Sequence, residues 1–354
     1  MINCYAGPAI LPESAVLATK KALDNFDGTG VGLMEISHRE PVSLAIISDS
    51  EKLLADLLGI SLDEWCVMFC VGGATAQFSM VPMNLLEKGK VAGYINTGVW
   101  ASKALAEASK FGETIVLGTS EDNKFRNLPE IAELPENCGY VHITSNNTII
   151  GSQWPTLPKL SDDITLVVDA SSDFLSRPID LSQVGLIYAS AQKNLGPAGV
   201  TVVVARRALL NKSSNSLPIM LNYRTFRDNQ SVYNTPPVLP IFVVREVLRW
   251  IKDEGGLAEM EQRNLKKAKI IYEAIDGNSL CIPYTDRNVR SIMNATFNIS
   301  SSDGEAKFIR NAKHEGILGL SGHKMLGGIR VNLYNAFSIN SALRVAEYIR
   351  EFQS

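Results

Sequence analysis

Short runs of consecutive apolar residues alternate with segments of helical periodicity through most of the chain. The runs Cys66–Val71, Gly93–Asn96, Thr114–Leu117, Tyr140–Thr144, Ile164–Asp169, Gly185–Ala189 and Val200–Ala205 are rich in Val and Ile. Apolar residues at successive positions predict strands covered on both faces, as in a parallel or mixed sheet. Between them, residues 41–59 place Leu44, Ile47, Leu54 and Leu57 on one helical stripe, and residues 75–88 and 99–111 follow the same spacing. The alternation predicts an α/β domain with helices on both faces of a central sheet. The pattern changes at the breaker Glu254-Gly255-Gly256. Beyond it the sequence predicts a helix over 257–275 with Leu257, Met260, Ile271 and Ile275 as its apolar positions. A strand at Ser291–Ile299, a helix at 304–315, a strand at Gly328–Tyr334 and a closing helix at 340–353 complete a smaller α/β unit.

A length of 354 residues agrees with two domains, and 45% apolar with 20% charged residues is an ordinary globular composition. The net charge of -3 leaves no basic excess to neutralise a phosphate backbone, so nucleic-acid binding is not expected. The five cysteines are odd in number and predict reduced core thiols. Cys66 and Cys70 are four apart with no nearby His, so no metal site is expected. No apolar run approaches 18 residues, and the start MINCYAGPAILPESAV lacks a basic segment followed by a long apolar one. The expectation is a cytoplasmic protein without a membrane span.

The nucleotide-binding patterns G-x-G-x-x-G and G-x-x-x-x-G-K-[ST] are missing, as is the G-x-S-x-G of serine hydrolases. Three features remain. Asp169 closes the apolar run ITLVVD, where ligands bind in open α/β sheets, although a turn or helix cap explains one such residue equally well. Lys193 follows the run GLIYA and precedes a Pro/Gly-rich turn; alone it reads as a solvated loop lysine. Together, a carboxylate and a lysine at two strand ends are the pair that pyridoxal phosphate chemistry needs. The first keeps a pyridine nitrogen protonated, and the second forms the Schiff base. VGGATAQF, residues 71–78, puts two glycines between a strand and a helix. Backbone N–H groups there suit a phosphate, or simply make a tight turn.

On YAGPAILPE (5–13), MEISHR (34–39), GGATAQF (72–78), NTGVW (96–100), VDASSDFLSRP (168–178), AQKNLGPAG (191–199), YNTPP (233–237) and GHKMLGGIR (322–330), the chain resembles the phosphoserine aminotransferase family. This is a fold-type I, class V group of pyridoxal-phosphate enzymes. The resemblance spans almost the whole length. It implies a large cofactor-binding domain, 15–256, with a mainly parallel seven-stranded sheet. It also implies a smaller α/β domain, 257–354, joined by segment 1–14. It further implies one pyridoxal 5'-phosphate per subunit on Lys193, with Asp169 on the ring nitrogen and Trp100 stacked on the ring. Thr148 would bond the ring hydroxyl. Ala74, Thr75 and Gln192 would lie around the cofactor phosphate, and Asn234 and Thr235 would reach it from a neighbouring subunit, in a homodimer with shared sites. Arg330 would bind the substrate α-carboxylate; His38 and Arg39 of the neighbour, with His323 and Lys324, would hold the substrate phosphate. The implied reaction exchanges an amino group between O-phospho-L-serine and 2-oxoglutarate, giving 3-phosphohydroxypyruvate and L-glutamate.

The chain departs from the family pattern at several points. Lys324 stands where Arg follows the histidine, which keeps the charge and loses the planar fork. Asn147 replaces a usual glutamate, Ser190 a common glycine, and Cys4-Tyr5 a usual Phe and small polar residue. Other readings of the same chain are a related transaminase of the alanine–glyoxylate type, which needs no basic group around His38, or a non-catalytic relative that keeps the fold.

Overall fold

The structure is a computed structural model that describes residues 1–161, 164–301 and 303–353. Its centre is a seven-stranded sheet of β1 (Trp65–Cys70), β2 (Val91–Asn96), β3 (Thr114–Thr119), β4 (Cys138–Thr144), β5 (Leu166–Asp169), β6 (Val184–Ser190) and β7 (Thr201–Arg206), in the order β1-β7-β6-β5-β4-β2-β3. Strands β3, β2, β4, β5 and β6 are mutually parallel. β7 pairs antiparallel with both β6 and β1, so it alone runs against the rest. β1, β2, β5 and β6 are buried at every position, which is why the sequence shows continuous apolar runs there instead of alternation.

Helices cover both faces. α1 (Glu13–Asp24), α2 (Pro41–Leu58) and a later helix, α5 (Val238–Asp253), close one core with Phe26, Trp65, Phe69 and Val168. α3 (Gly73–Leu85) and α4 (Val99–Ala108) close the opposite one with Met68, Tyr94 and Tyr188. A third core gathers Cys4 with residues of α6 (Gly256–Gly277), α7 (Gly304–His314), α8 (Ile339–Glu351) and a three-stranded antiparallel sheet. That sheet is β8 (Cys281–Pro283), β9 (Asn294–Ile299) and β10 (Ile329–Asn332), with β9 central. The N-terminal pair Ile2–Asn3 lies parallel to Ile317–Leu318.

Two details differ from the sequence reading. The buried stripe of α2 runs through Ser43, Ile46, Ile47, Ser50 and Leu54, while Leu44 faces outward. Ser50 can sit inside because its hydroxyl donates to the Ile46 carbonyl at 2.7 Å. In α6 the middle of the buried stripe is polar. Asn264 and Lys267 are enclosed, and the Lys267 ammonium donates to the carbonyls of Leu333 and Tyr334 at 2.9 Å each. All five cysteines are buried, and none is joined in a disulfide among the described residues. Among the described residues no group of side chains has the makings of a metal site, and no helix is long and apolar enough to cross a membrane.

Candidate active site

The carboxyl ends of β1, β2, β4, β5 and β6 open on one cavity of about 450 Å³, and β10 supplies a further wall. In a parallel sheet this edge is where successive strand–helix turns leave polar groups free for a ligand. Lys193 is the third residue beyond β6. Its ammonium lies 5.8 Å from the centre of the Trp100 ring, and Trp100 stands in the first turn of α4. Burial drives the Lys193 pKa down to about 8; Asp169 pulls it upward and Arg330 pushes it further down. Asp169 ends β5. Its Oδ1 accepts the Ser171 N–H at 3.0 Å, and burial holds its carboxyl above the usual aspartate range despite that bond and the nearby lysine. Among the described residues Asp169 has no ion-pair partner within 4.0 Å, so it retains acceptor capacity toward the cavity.

Beside the lysine, β1 turns into α3 through Gly72 (φ 93°) and Gly73 (φ 65°). A Cβ on Gly72 would come within 2.6 Å of the Ala76 Cβ, so the tight entry requires glycine. The turn aims the N-terminus of α3, whose first N–H groups have no partner within the helix, at the cavity. The Ala74 N–H donates to the Ser190 hydroxyl at 2.7 Å, a partner the sequence reading of Ala74 did not foresee. Thr75 and Gln192 line the same wall.

The opposite wall is one connected group. The Trp100 Nε1–H donates to the Thr148 hydroxyl at 3.2 Å, and the Arg330 Nη1 donates to the Thr148 carbonyl at 2.7 Å. Arg330 is 8% exposed, its Nε has no partner among the described residues, and burial lowers its pKa. A buried guanidinium with unspent donors has the geometry of a carboxylate receptor. His323 lines the cavity near Arg330; its Nδ1 accepts the Met325 N–H at 3.3 Å. Burial, followed by the charges of Arg330, Lys324 and Lys103, lowers the His323 pKa, which favours the neutral ring.

Asparagines hold these walls together, and sequence reasoning missed most of them. Asn147 Nδ2 donates to the Thr97 carbonyl at 2.6 Å, and its Oδ1 accepts the N–H of Ile149 and of Ile150. The glutamate usual at this position has no N–H for the Thr97 carbonyl. Asn146 Nδ2 donates to Ser172 Oγ at 2.8 Å and to Asn294 Oδ1 at 2.7 Å, which ties the site to β9. Behind Lys193, Asn194 Oδ1 accepts the Asn335 N–H at 3.0 Å, and Asn335 Nδ2 donates to the Leu175 carbonyl at 2.9 Å. No periodicity or spacing marks such residues.

Of the residues singled out in the sequence, the cavity brings together Ala74, Thr75, Trp100, Thr148, Asp169, Gln192, Lys193, His323 and Arg330. It does not include Lys324, which is exposed one residue past His323, or His38 and Arg39, which sit in the turn before α2. It also excludes Asn234 and Thr235, exposed in the loop before α5. The residues present suit pyridoxal phosphate. They offer an amine that gives up its proton near neutral pH, a buried carboxylate without an ion-pair partner among the described residues, a flat indole, and a helix N-terminus for an anion.

The class-V aminotransferase family model matches residues 1–350. A phosphoserine aminotransferase of Geobacillus kaustophilus (strain HTA426) is 44% identical over 354 residues, covering 99% of this chain and 98% of that one. The solved phosphoserine aminotransferase of Bacillus circulans subsp. alkalophilus superimposes with a TM-score of 0.95 at 43% identity, over 98% of this chain and 96% of that one. A phosphoserine aminotransferase from Trichomonas vaginalis, solved with pyridoxal phosphate bound, gives 0.91 at 31% identity and covers 99% of both chains.

Proposed function

The chain belongs to the class-V aminotransferases, and on that premise we propose that it is a pyridoxal-phosphate-dependent transaminase acting between O-phospho-L-serine and 2-oxoglutarate. The observation that carries this reading is the pairing of a lysine of lowered pKa with a buried aspartate at adjacent strand ends, in a chain whose full-length relatives are phosphoserine aminotransferases.

Pyridoxal phosphate, when bound, supplies an aldehyde that captures amines and a protonated ring that withdraws electrons. The chain's residues do the rest. Lys193 holds the cofactor covalently; with its pKa at about 8, about a tenth of the amine is free at pH 7, against fewer than one in a thousand for an unperturbed lysine. With the cofactor bound, the Lys193 Nζ would also be the base that takes the substrate's α-proton. Asp169 keeps the proton on the ring nitrogen. Trp100 would stack on the ring, and Thr148, held by its bond to Trp100, would offer its hydroxyl to the ring's own hydroxyl. Arg330 receives the α-carboxylate common to both amino acids. His323 and Lys324, with His38 and Arg39 from a second copy, receive the substrate phosphate. The shared site makes the working unit a homodimer, and Asn234 and Thr235 reach the neighbour's cofactor phosphate.

The division into a cofactor-binding part, 15–256, and a C-terminal part, 257–354 with 1–14, belongs to the same proposal and is supported by the separate core around Cys4. A yellow purified protein that bleaches on adding phosphoserine, and turns it over much faster than serine or alanine, is the expected result. Equal rates with alanine would point to an alanine–glyoxylate type of enzyme, and a colourless protein that takes up no cofactor would sink the reading.

A further inference from the structure

We propose that Ser190, for which the sequence reading offered no role, is a ligand of the cofactor phosphate in this chain. The proposal rests on the reading that the cavity binds pyridoxal phosphate. Ser190 closes β6 three residues before Lys193, is 4% exposed, and lines the cavity. Its backbone N–H is fixed to the Ser171 hydroxyl at 3.1 Å, so its position is set by the strand end that carries Asp169. Its Oγ accepts the Ala74 N–H at 2.7 Å and lies 3.4 Å from where a Cβ on Gly73 would stand, directly at the start of α3.

A hydroxyl that accepts one bond still has a proton to give. No described group accepts the Ser190 proton. This buried donor therefore stands unspent at the helix end where an anion is favoured. Donation from Ala74 into the serine oxygen polarises its O–H and strengthens the bond it makes in turn. Ser190 thus carries the Ala74 N–H one atom further into the cavity and presents it to a phosphate oxygen as O–H. A glycine here would leave the amide to reach the anion unaided.

The experiment strips the cofactor from wild type, Ser190→Ala and Ser190→Gly, and titrates each with pyridoxal phosphate and, separately, with pyridoxal. Unchanged melting of the stripped Ser190→Ala protein checks its fold. The expected result is an affinity for pyridoxal phosphate lower by about tenfold to hundredfold in both variants, the size of one hydrogen bond to a charged group. Pyridoxal, which has no phosphate, should bind all three within about twofold. Stabilisation of the stripped wild type by inorganic phosphate should also be reduced in the variants. Equal pyridoxal phosphate affinity in all three would overturn the assignment, as would a loss shared equally by pyridoxal, which marks Ser190 as a helix cap only. Failure of the wild type itself to bind pyridoxal phosphate would instead overturn the cofactor reading beneath it.

Discussion

The guanidinium of Arg330 donates to the main-chain carbonyl of Thr148 at 2.7 Å, while its Nε is buried with no partner among the described residues. One arm of the arginine thus fastens it to the loop that also bonds Trp100, and the rest is left for ligand. Arg330→Lys keeps the charge and loses the fork. KM should rise about tenfold or more for phosphoserine and glutamate alike, since both present the same carboxylate. A rise confined to one substrate in steady-state kinetics would contradict the assignment.

Arg39 gives the contrasting case. Arg39→Ala should reduce kcat/KM for phosphoserine by about tenfold to hundredfold and leave glutamate within about threefold, because glutamate has no phosphate to hold. Equal losses would remove Arg39 from phosphate recognition.

The shared site can be tested with two crippled chains. Lys193→Ala should abolish turnover, and borohydride reduction of the wild type should label Lys193 and no other lysine. Refolding Lys193→Ala together with Arg39→Ala in equal amounts should restore phosphoserine turnover at roughly one site in four, since each hybrid dimer pairs an intact lysine with an intact arginine at one site. Activity no higher than the sum of the separate variants would argue against exchange of Arg39 between copies.

The depressed pKa of Lys193 has a pH signature in cofactor-free protein. Below about pH 8 the folded amine is protonated, and above it the amine is free to attack an aldehyde. Capture of pyridoxal phosphate should accelerate as pH rises toward 8 and level off beyond. An unfolded lysine holds its proton to 10.5. Between the two values unfolding takes up a proton, so the cofactor-free fold gains stability as pH rises through that window. Lys193→Met should flatten that rise in denaturant titrations; an unchanged slope would assign it to other groups.

Gly98 has φ 142°, and a Cβ there would collide with Asn147 Nδ2, the group that bonds Thr97. Gly98→Ala should cost roughly 2–4 kcal/mol of stability and displace Trp100, whose helix begins at the next residue. Denaturant melts and tryptophan fluorescence would register both; a wild-type melt would show that the loop accommodates the methyl group.

The central strands were readable because burial on both faces leaves an unbroken apolar signature. α5 was not, because its residues 238–244 are nearly all apolar and Pro240 looks like a breaker. In the first turn that proline removes only an N–H that has no helical partner anyway. α1 buries just Ala15 and Ala22, too thin a stripe to recognise, and β8 is three residues long with a terminal proline. Lys193 and Asp169 stood out in the sequence only as a pair at two strand ends, since each alone reads as an ordinary loop or capping residue. Asn146, Asn147, Asn194 and Asn335 did not stand out, since their partners are distant in sequence and an amide carries no pattern of its own.

Those amides have a mechanical consequence. Asn146 bridges β4's end to Asn294 in β9, and Asn194 bridges the lysine loop to Asn335 beyond β10. Opening the gap between the two sheets would strand several enclosed amide dipoles at once. The wall that carries Arg330 is thereby coupled to the loop that carries Lys193. On the proposed reading, the span between them would act as a gauge for the separation of carboxylate and amino group that every α-amino acid shares, and discrimination between side chains would fall to groups beyond it.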